Sequence, residues 1–433
     1  MARIPLRNVF HPVLIAALGL AWVGLRMANA QRPESPESRW WKGNLHTHSL
    51  WSDGDNYPDL IADWYKSHGY QFLALSDHNV LAETGKWIDP AKSKGGLPAL
   101  EKYRQRFGAP WVETREEAGA TQVRLKPLAE FRTLFEEPGK FLMIPSEEIS
   151  DRFEKKPIHL CATNLKELVK PQGGDSVTQV IQRDVDAVLE QRKRTGQAMF
   201  PHVNHPNFGW AITAEELMAV RGDRFFEVYN GHPTVYNEGG EGRPGTERMW
   251  DIMLTHHIAE GRTELLYGVA VDDSHNYHQE SPKVSNPGRG WVMVRSPLLS
   301  PDGIIRAMEA GDFYGSSGVT LRDFSRKDGK LRIEIRPEAG VTYRTRFIGT
   351  RKGYDPKSEP VNVPDKDGAP ITVTRRYSAD IGQVLAEVEG VSPTYTFRGD
   401  ELYVRAVVSS SRPQPNRVRP DDMERAWLQP VRP

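Results

Sequence analysis

The chain has 433 residues, enough for two or three domains at roughly 100–200 residues each. Its 57 Lys and Arg are matched by 57 Asp and Glu, which leaves no basic excess to recruit nucleic acid. A single cysteine, Cys161, excludes a disulfide framework and a Cys-rich zinc module, and 38% apolar with 26% charged residues excludes a coiled coil or a multi-span membrane protein.

The first 30 residues differ in kind. Arg3 and Arg7 precede an unbroken apolar run, Val13–Leu25, and Ala28-Asn29-Ala30 follows, which is the anatomy of a secretory signal peptide. The run is shorter than the roughly 20 residues of a spanning helix. The expectation is a leader over 1–30 and an exported chain, periplasmic or extracellular, with no stable membrane insertion after cleavage. Polar, Pro-containing residues 31–38 read as a linker.

From Trp40 onward, short apolar runs alternate with amphipathic stretches. The strand-like runs are Gly43–His48, Phe72–Ser76, Phe141–Pro145, Ile158–Thr163, Ala198–Asn204, Phe225–Tyr229, Leu266–Val271 and Trp291–Val294. Helical stretches fall at Pro58–Ser67, Val177–Arg194, Ala214–Val220 and Thr246–Glu260. This alternation predicts an α/β fold with a largely parallel sheet, and seven or eight units over about 250 residues suit a barrel. Residues 83–140 are too long for a connection and read as a functional insertion. After Leu321, short alternating runs separated by Gly, Pro and Asp predict a small all-β domain over 323–433, leaving 31–322 for the barrel.

The His and acidic residues fall at the ends of the strand-like runs. His46-Thr47-His48 closes the first, and residues two apart in a strand share a face. Asp53 follows in a turn with Gly54. The next runs end in Asp77-His78 and Glu147-Glu148, the fourth opens on His159, and the later ones end in His202-Val203-Asn204-His205 and Asp272-Asp273-Ser274-His275. Barrel enzymes build their sites at such strand ends. Buried charges are costly unless paired or metal-bound, and mixed imidazole and carboxylate donors suit Zn, Mn or Fe better than calcium.

Gly43-Asn-Leu-His-Thr-His-Ser49 with Ser52-Asp-Gly54, Ala74-Leu-Ser-Asp-His78, Pro145-Ser-Glu-Glu-Ile-Ser150, His205-Pro206 and Asp273-Ser-His275 resembles, in order, the PHP family, the polymerase and histidinol phosphatase superfamily of metal-dependent hydrolases. The resemblance covers roughly Trp40 to Leu321. It implies a distorted (β/α)7 PHP barrel with two or three divalent metal ions at its mouth. His46, His48, Glu148 and Asp273 would hold a first ion, and Glu148 would bridge to a second held by His159 and His205. Asp53, His78 and His275 would hold a third. Water activated by the ions on His46, Glu148 and Asp273 would be the nucleophile. Glu147 and Asp272 remain alternatives to Glu148 and Asp273, and His202 to His159 or His205. The insertion, with Pro287–Val294 and Gly311–Gly315, resembles an exported branch grouped with carbaryl-hydrolase-type enzymes.

Other residues have two readings. Asp77 orients a His or simply holds a turn; Asn204 and Asn230 contact substrate or cap backbone; Arg289 clamps an anion or lies on the surface. Trp87 and Trp111 line the mouth or anchor the insertion. Cys161 reads as a packed thiol, His256-His257 as helix surface, and His68 as a helix end. The leading expectation is a phosphoesterase acting on a small-molecule ester. The alternatives are an ester, amide or carbamate hydrolase on the same metals, and a non-catalytic binding protein. Neither a Gly-x-Ser-x-Gly elbow nor a Walker-type loop is present. Lys and Arg at the mouth would favour phosphate, whereas aromatic residues from the insertion would favour the carboxyl ester or carbamate. Protein partners are unknown from sequence.

Overall fold

A computed structural model describes Met1 and residues 38–364 and 369–433, so the leader expected over 1–30 lies, but for Met1, outside the described residues. Seven strands carry the polar clusters: β1 (Arg39–Asn44), β2 (Phe72–Leu75), β3 (Leu142–Phe153), β4 (Lys156–Thr163), β5 (Phe200–Val203), β6 (Phe225–Asn230) and β7 (Tyr267–Val271). Six more extend the same sheet: β8 (Trp291–Ser296), β9 (Phe313–Ser316), β10 (Tyr343–Arg351), β11 (Gln383–Glu389), β12 (Glu401–Pro413) and β13 (Met423–Val431). The strand order is β7-β6-β5-β4-β3-β2-β1-β8-β9-β13-β12-β10-β11.

Strands β1, β2 and β3 run parallel, with crossovers through the helix Pro58–Ser67 and through the insertion. The expected parallel order breaks at β4. Only Glu154 and Lys155 separate β3 from β4, with Glu154 at φ 53, so the two strands form a tight antiparallel hairpin pairing Ser150 with His159. Strand β5 pairs antiparallel to β4, which restores the direction of β3, and β6 and β7 follow in parallel. Their crossovers contain the helices Val177–Thr195, Ala214–Met218 and Thr246–Ala259. Ser176 caps the first by accepting from the Gln179 amide, and Thr213 with Glu216 forms a capping box on the second.

Two expectations about β1 and β8 are corrected. Strand β1 ends at Asn44, before the His-x-His segment, because the chain leaves its β2 partner there and bridges instead to the end of β7 at Thr47–Ser274. Strand β8 is antiparallel to β1, pairing Gly43 with Val292. A (β/α)7 barrel closed by a full ladder is not seen: among the described residues β1 and β7 meet through that one bridge.

Leu45, Phe72, Ile144, Phe200, Phe225, Val271 and Val292 form one buried cluster, joining six of these strands below the polar strand ends. Removing such side chains from water is the main stabilising term, about 25 cal/mol per Å² of apolar surface. The insertion folds into a three-stranded sheet, Lys86–Ile88, Thr114–Glu117 and Ala120–Leu125, plus the helix Gly96–Phe107.

After Ser316 every described element is a strand. Tyr343, Thr345 and Phe347 of β10 are buried while Arg344 is exposed, the two-residue period expected of a half-covered sheet. The last strand, β13, which sequence patterning missed, inserts between β9 and β12. Among the described residues no helix is long and apolar enough to cross a membrane.

Candidate metal centre

The bridge between Thr47 and Ser274 sets the site. The His48 amide donates to the Ser274 carbonyl at 2.9 Å and the Asp273 amide to the His46 carbonyl at 3.0 Å, so His46 and His48 face Asp273 across the joined strand ends. Asp273 sits at φ 50, a left-handed conformation that costs a non-Gly residue about 1–3 kcal/mol and recurs at functional sites. Asp53 is carried by a turn whose shape Asp77 fixes. The Asp77 carboxylate accepts from the amides of Ser49 and Ser52 at 2.8 and 3.1 Å and from their hydroxyls at 2.7 and 2.6 Å. Of its two sequence readings, the turn-holding one is observed. Gly54 permits that turn, since a Cβ there would lie 2.6 Å from the His48 carbonyl oxygen.

All nine predicted residues converge. Glu148 lies at the centre, with no exposed surface. Its Oε1 is 3.3 Å from His46 Nε2, 3.1 Å from His159 Nδ1 and 3.4 Å from His205 Nε2. Its Oε2 is 2.6 Å from His78 Nδ1 and 3.5 Å from His48 Nε2. Asp273 Oδ1 lies 3.3 Å from His46 Nε2, 3.2 Å from His48 Nε2 and 3.6 Å from His275 Nδ1. Asp53 Oδ1 gathers His275 Nε2 at 3.2 Å, His78 Nε2 at 3.5 Å and His48 Nδ1 at 3.8 Å. Four overlapping donor groups result, each with its ligand atoms within 4.8 Å of one another: His46-His48-Asp273, His46-Glu148-His205, His78-Glu148-His159 and His48-Asp53-His78-His275.

The donors suit a divalent cation. His48 Nδ1, Asp53 Oδ1, Glu148 Oε2 and His159 Nδ1 are buried without a hydrogen bond, their close neighbours being misaligned for one. Orphaned buried polar atoms are rare because each costs desolvation free energy, and cations held in the overlapping donor groups would satisfy them. Burial opposes ionisation of Glu148, but the charges of His159, His78 and His46 outweigh it and hold the carboxyl well below its usual range. Burial, reinforced by His275, pushes His48 down to about 3, so its imidazole is neutral and able to ligate. These clusters point to divalent metal binding.

The alternatives face elsewhere. Glu147 accepts the Val169 amide at 2.6 Å. Asp272 accepts from the amides of Gly288, Arg289 and Gly290 at 2.9, 2.6 and 2.8 Å and from the Tyr65 hydroxyl at 2.8 Å. His202 sits below the cluster with His46 and Cys161 in a further donor group, its Nε2 3.4 Å from Glu227 Oε1.

Sequence reasoning missed Glu227. Its Oε1 accepts from His46 Nδ1 at 2.6 Å and its Oε2 from the His205 amide and from Asn230 Nδ2, both at 2.7 Å. With Nδ1 protonated, His46 presents the Nε2 lone pair to the cluster, the usual arrangement of a carboxylate behind a ligating His. Asn230 Nδ2 also lies 3.0 Å from Asp273 Oδ2, and Asn204 Nδ2 donates to Glu148 Oε1 at 2.7 Å, while their Oδ1 atoms accept the His232 and Cys161 amides at 2.7 and 3.0 Å, so both asparagines hold cluster carboxylates and cap backbone at once. The available signal for Glu227 was a lone acid inside an otherwise apolar strand.

Arg289 is neither surface nor anion clamp. It is fully buried and donates to the carbonyls of Ser281, Val284, Gly231 and Asn416. Trp111 Nε1 donates to Asp59 at 2.8 Å, which anchors the insertion to the helix Pro58–Ser67, whereas Trp87 lies under Arg115 within the insertion. The cavity over the cluster, about 250 Å³, is lined by the predicted ligands other than His46 and His48, together with Lys94, Phe208, His232 and Asn276.

No family model matches the chain, and no curated protein matches it. Among solved structures, it is similar to a two-domain protein of Bacteroides vulgatus containing a predicted PHP-like metal-dependent phosphoesterase, at 14% identity and TM-score 0.37, over 92% of this chain and 97% of that one. It is also similar to an amidohydrolase of Chromobacterium violaceum, at 13% identity and TM-score 0.28, over 63% and 96%. Likeness at this level bears on neither substrate nor reaction.

Proposed function

We propose that the chain is a metal-dependent hydrolase of the PHP superfamily that cleaves a phosphoester with metal-activated water. The observation that carries this reading is Glu148, buried amid five imidazoles with orphaned donor atoms around it. His46, His48, Asp273 and Glu148 would hold one ion, Glu148, His159 and His205 a second, and Asp53, His78 and His275 a third. Bound there, such ions would acidify water toward neutral pH and neutralise charge on the reacting ester.

The chain's own residues supply the frame. Glu227 keeps the His46 proton on Nδ1, Asn230 holds Asp273, and Asn204 holds Glu148. The sheet from β1 to β7, joined at Thr47–Ser274, is read as the distorted seven-stranded barrel of this superfamily, and the leader as an export signal. A phosphoester is favoured over a carbamate or carboxyl ester because the insertion sends a lysine, not its tryptophans, to the cavity.

The test combines metal analysis with turnover. Protein purified without chelator should carry at least two equivalents of divalent metal and hydrolyse p-nitrophenyl phosphate. D273A and E148Q should lose both while remaining folded. A chain without metal, or variants that keep full activity, would refute the reading.

A further inference from the structure

Three polar residues line the cavity without belonging to the nine-residue cluster or its supports: Lys94, His232 and Asn276, the last engaged with Asp55 and the Ser285 amide. Lys94 is the one Lys or Arg among the described residues that line it, and its Nζ lies 3.2 Å from Asp53 Oδ2 with the side chain 57% exposed. Its backbone is pinned. At Gly95 a Cβ would lie 2.2 Å from the Asp55 carbonyl oxygen, so this turn of the insertion packs directly on the segment that bears Asp53. The Gly96 amide closes the turn on the Ser93 carbonyl at 3.1 Å.

His232 stands on another side of the same cavity. Its ring is edge-on to His275 at 5.6 Å and to Phe208 at 6.1 Å between centroids. The Thr234 amide and hydroxyl lie 3.3 and 2.9 Å from His232 Nδ1, and with Nδ1 accepting from them the ring proton sits on Nε2. The His232 amide in turn donates to Asn230 Oδ1 at 2.7 Å, tying this residue to the support of Asp273. The cavity is therefore flanked by a largely exposed ammonium and by an imidazole whose Nδ1 is engaged by Thr234.

We infer that Lys94 and His232 form a substrate clamp that selects a small phosphomonoester, Lys94 pairing with a non-bridging phosphoryl oxygen and His232 donating to an oxygen of the same substrate. This rests on the hydrolase reading above. A phosphomonoester dianion carries one more anionic oxygen than a diester, and a lysine at the mouth rewards that charge. A diester replaces that extra anionic oxygen with a second ester substituent and so offers Lys94 less charge. A neutral carboxyl ester offers Lys94 no charge.

Steady-state kinetics on p-nitrophenyl phosphate, bis(p-nitrophenyl) phosphate and p-nitrophenyl acetate test the clamp, with metal content measured on each variant. K94M should raise KM for the monoester on the order of 10- to 100-fold, the worth of a charge-assisted hydrogen bond, with kcat changed less. It should raise the inhibition constant of inorganic phosphate in parallel, leave the diester and acetate nearly unchanged, and be largely restored by K94R. H232Q, which keeps an N–H donor, should retain more monoester turnover than H232F. Equal losses on all three esters would overturn the clamp, as would loss of metal in K94M, which would make Lys94 a support for Asp53 alone. A wild-type protein that carries metal and prefers the diester or the acetate overturns the clamp while sparing the hydrolase reading. One that hydrolyses none of the three removes both.

Discussion

Glu227 shows how one side chain outside the ligand set can govern it. A single carboxylate, fully buried, fixes the tautomer of His46 through Oε1 and the backbone of His205 and the amide of Asn230 through Oε2. Burial opposes its ionisation, but His46 and His202 hold its carboxyl below the usual range, so the anion persists at neutral pH. E227Q keeps the shape and removes the charge, and its NH2 group must face either His46 Nδ1–H or the His205 N–H. Metal affinity should fall about 10- to 100-fold, the usual cost of losing such a support, while the melting temperature changes by only a few degrees. Metal titration of the apoprotein checks this, and unchanged affinity would reduce Glu227 to a packing group. His46, His48 and His78 were legible as candidates because polar residues at the ends of apolar runs have few reasons to be there. Glu227 was not, because its run, Phe225–Tyr229, reads as one more buried strand. Arg289 was opaque for a related reason: the four carbonyls that satisfy it come from segments up to 127 residues away, and no local pattern records them.

At the scale of elements, what sequence recovered and what it missed follow from how far each constraint reaches. The strands β2, β5, β6 and β7 were legible as short, mostly apolar runs buried along nearly their whole length, and the helix Val177–Thr195 by its periodic apolar face. The reversal of β4 was not, since it depends on a two-residue turn between runs that read as separate strands. The loop between β4 and that helix shows a third case, in which carboxylates organise backbone. Asp184 Oδ1, on the helix, accepts the Gln172 amide at 2.9 Å, and Asp151 Oδ2 accepts the Gly173 amide at 2.7 Å. Burial, and secondarily the charge of Asp151, raise the Asp184 carboxyl from 3.8 to about 8 despite the Gln172 bond. The folded protein thus binds this proton more tightly than the unfolded chain. Its contribution to stability is complete below pH 3.8 and is lost as pH rises through about 8. D184N retains the acceptor for Gln172 and has no proton to lose. Between pH 5 and 8 wild-type stability should therefore fall relative to D184N, read as diverging denaturant midpoints, and parallel profiles would show that Asp184 titrates normally.

Across the whole molecule, the candidate centre and the closure of the sheet are one event. Its nine residues come from the segments that follow β1, β2, β5 and β7 and from within β3 and β4, and the one β1–β7 bridge among the described residues, Thr47–Ser274, lies between His46, His48 and Asp273. Elsewhere the long-range ties are conventional: Arg405 of β12, fully buried, pairs with Asp251 on the helix Thr246–Ala259 at 2.8 and 2.7 Å, which binds the C-terminal strands to that helix without any ligand. The β1–β7 junction differs, because the groups that meet there include two buried carboxylates and orphaned donors that gain most from a shared cation. Any ligand that binds only the folded state stabilises it, by about 2.7 kcal/mol when present at 100 times its Kd. That stabilisation should be concentrated at the junction rather than spread over the sheet. Chelation should therefore lower the melting temperature and, more tellingly, speed hydrogen exchange at the amides of His48 and Asp273, which bond to the Ser274 and His46 carbonyls. Amides in the β10–β12 ladder should keep their protection, since those strands pair with each other and contribute no residue to the donor groups or the cavity lining. Uniformly faster exchange would mean that the ions stabilise the fold globally, and no change at His48 and Asp273 would mean that the strand ends hold together by themselves.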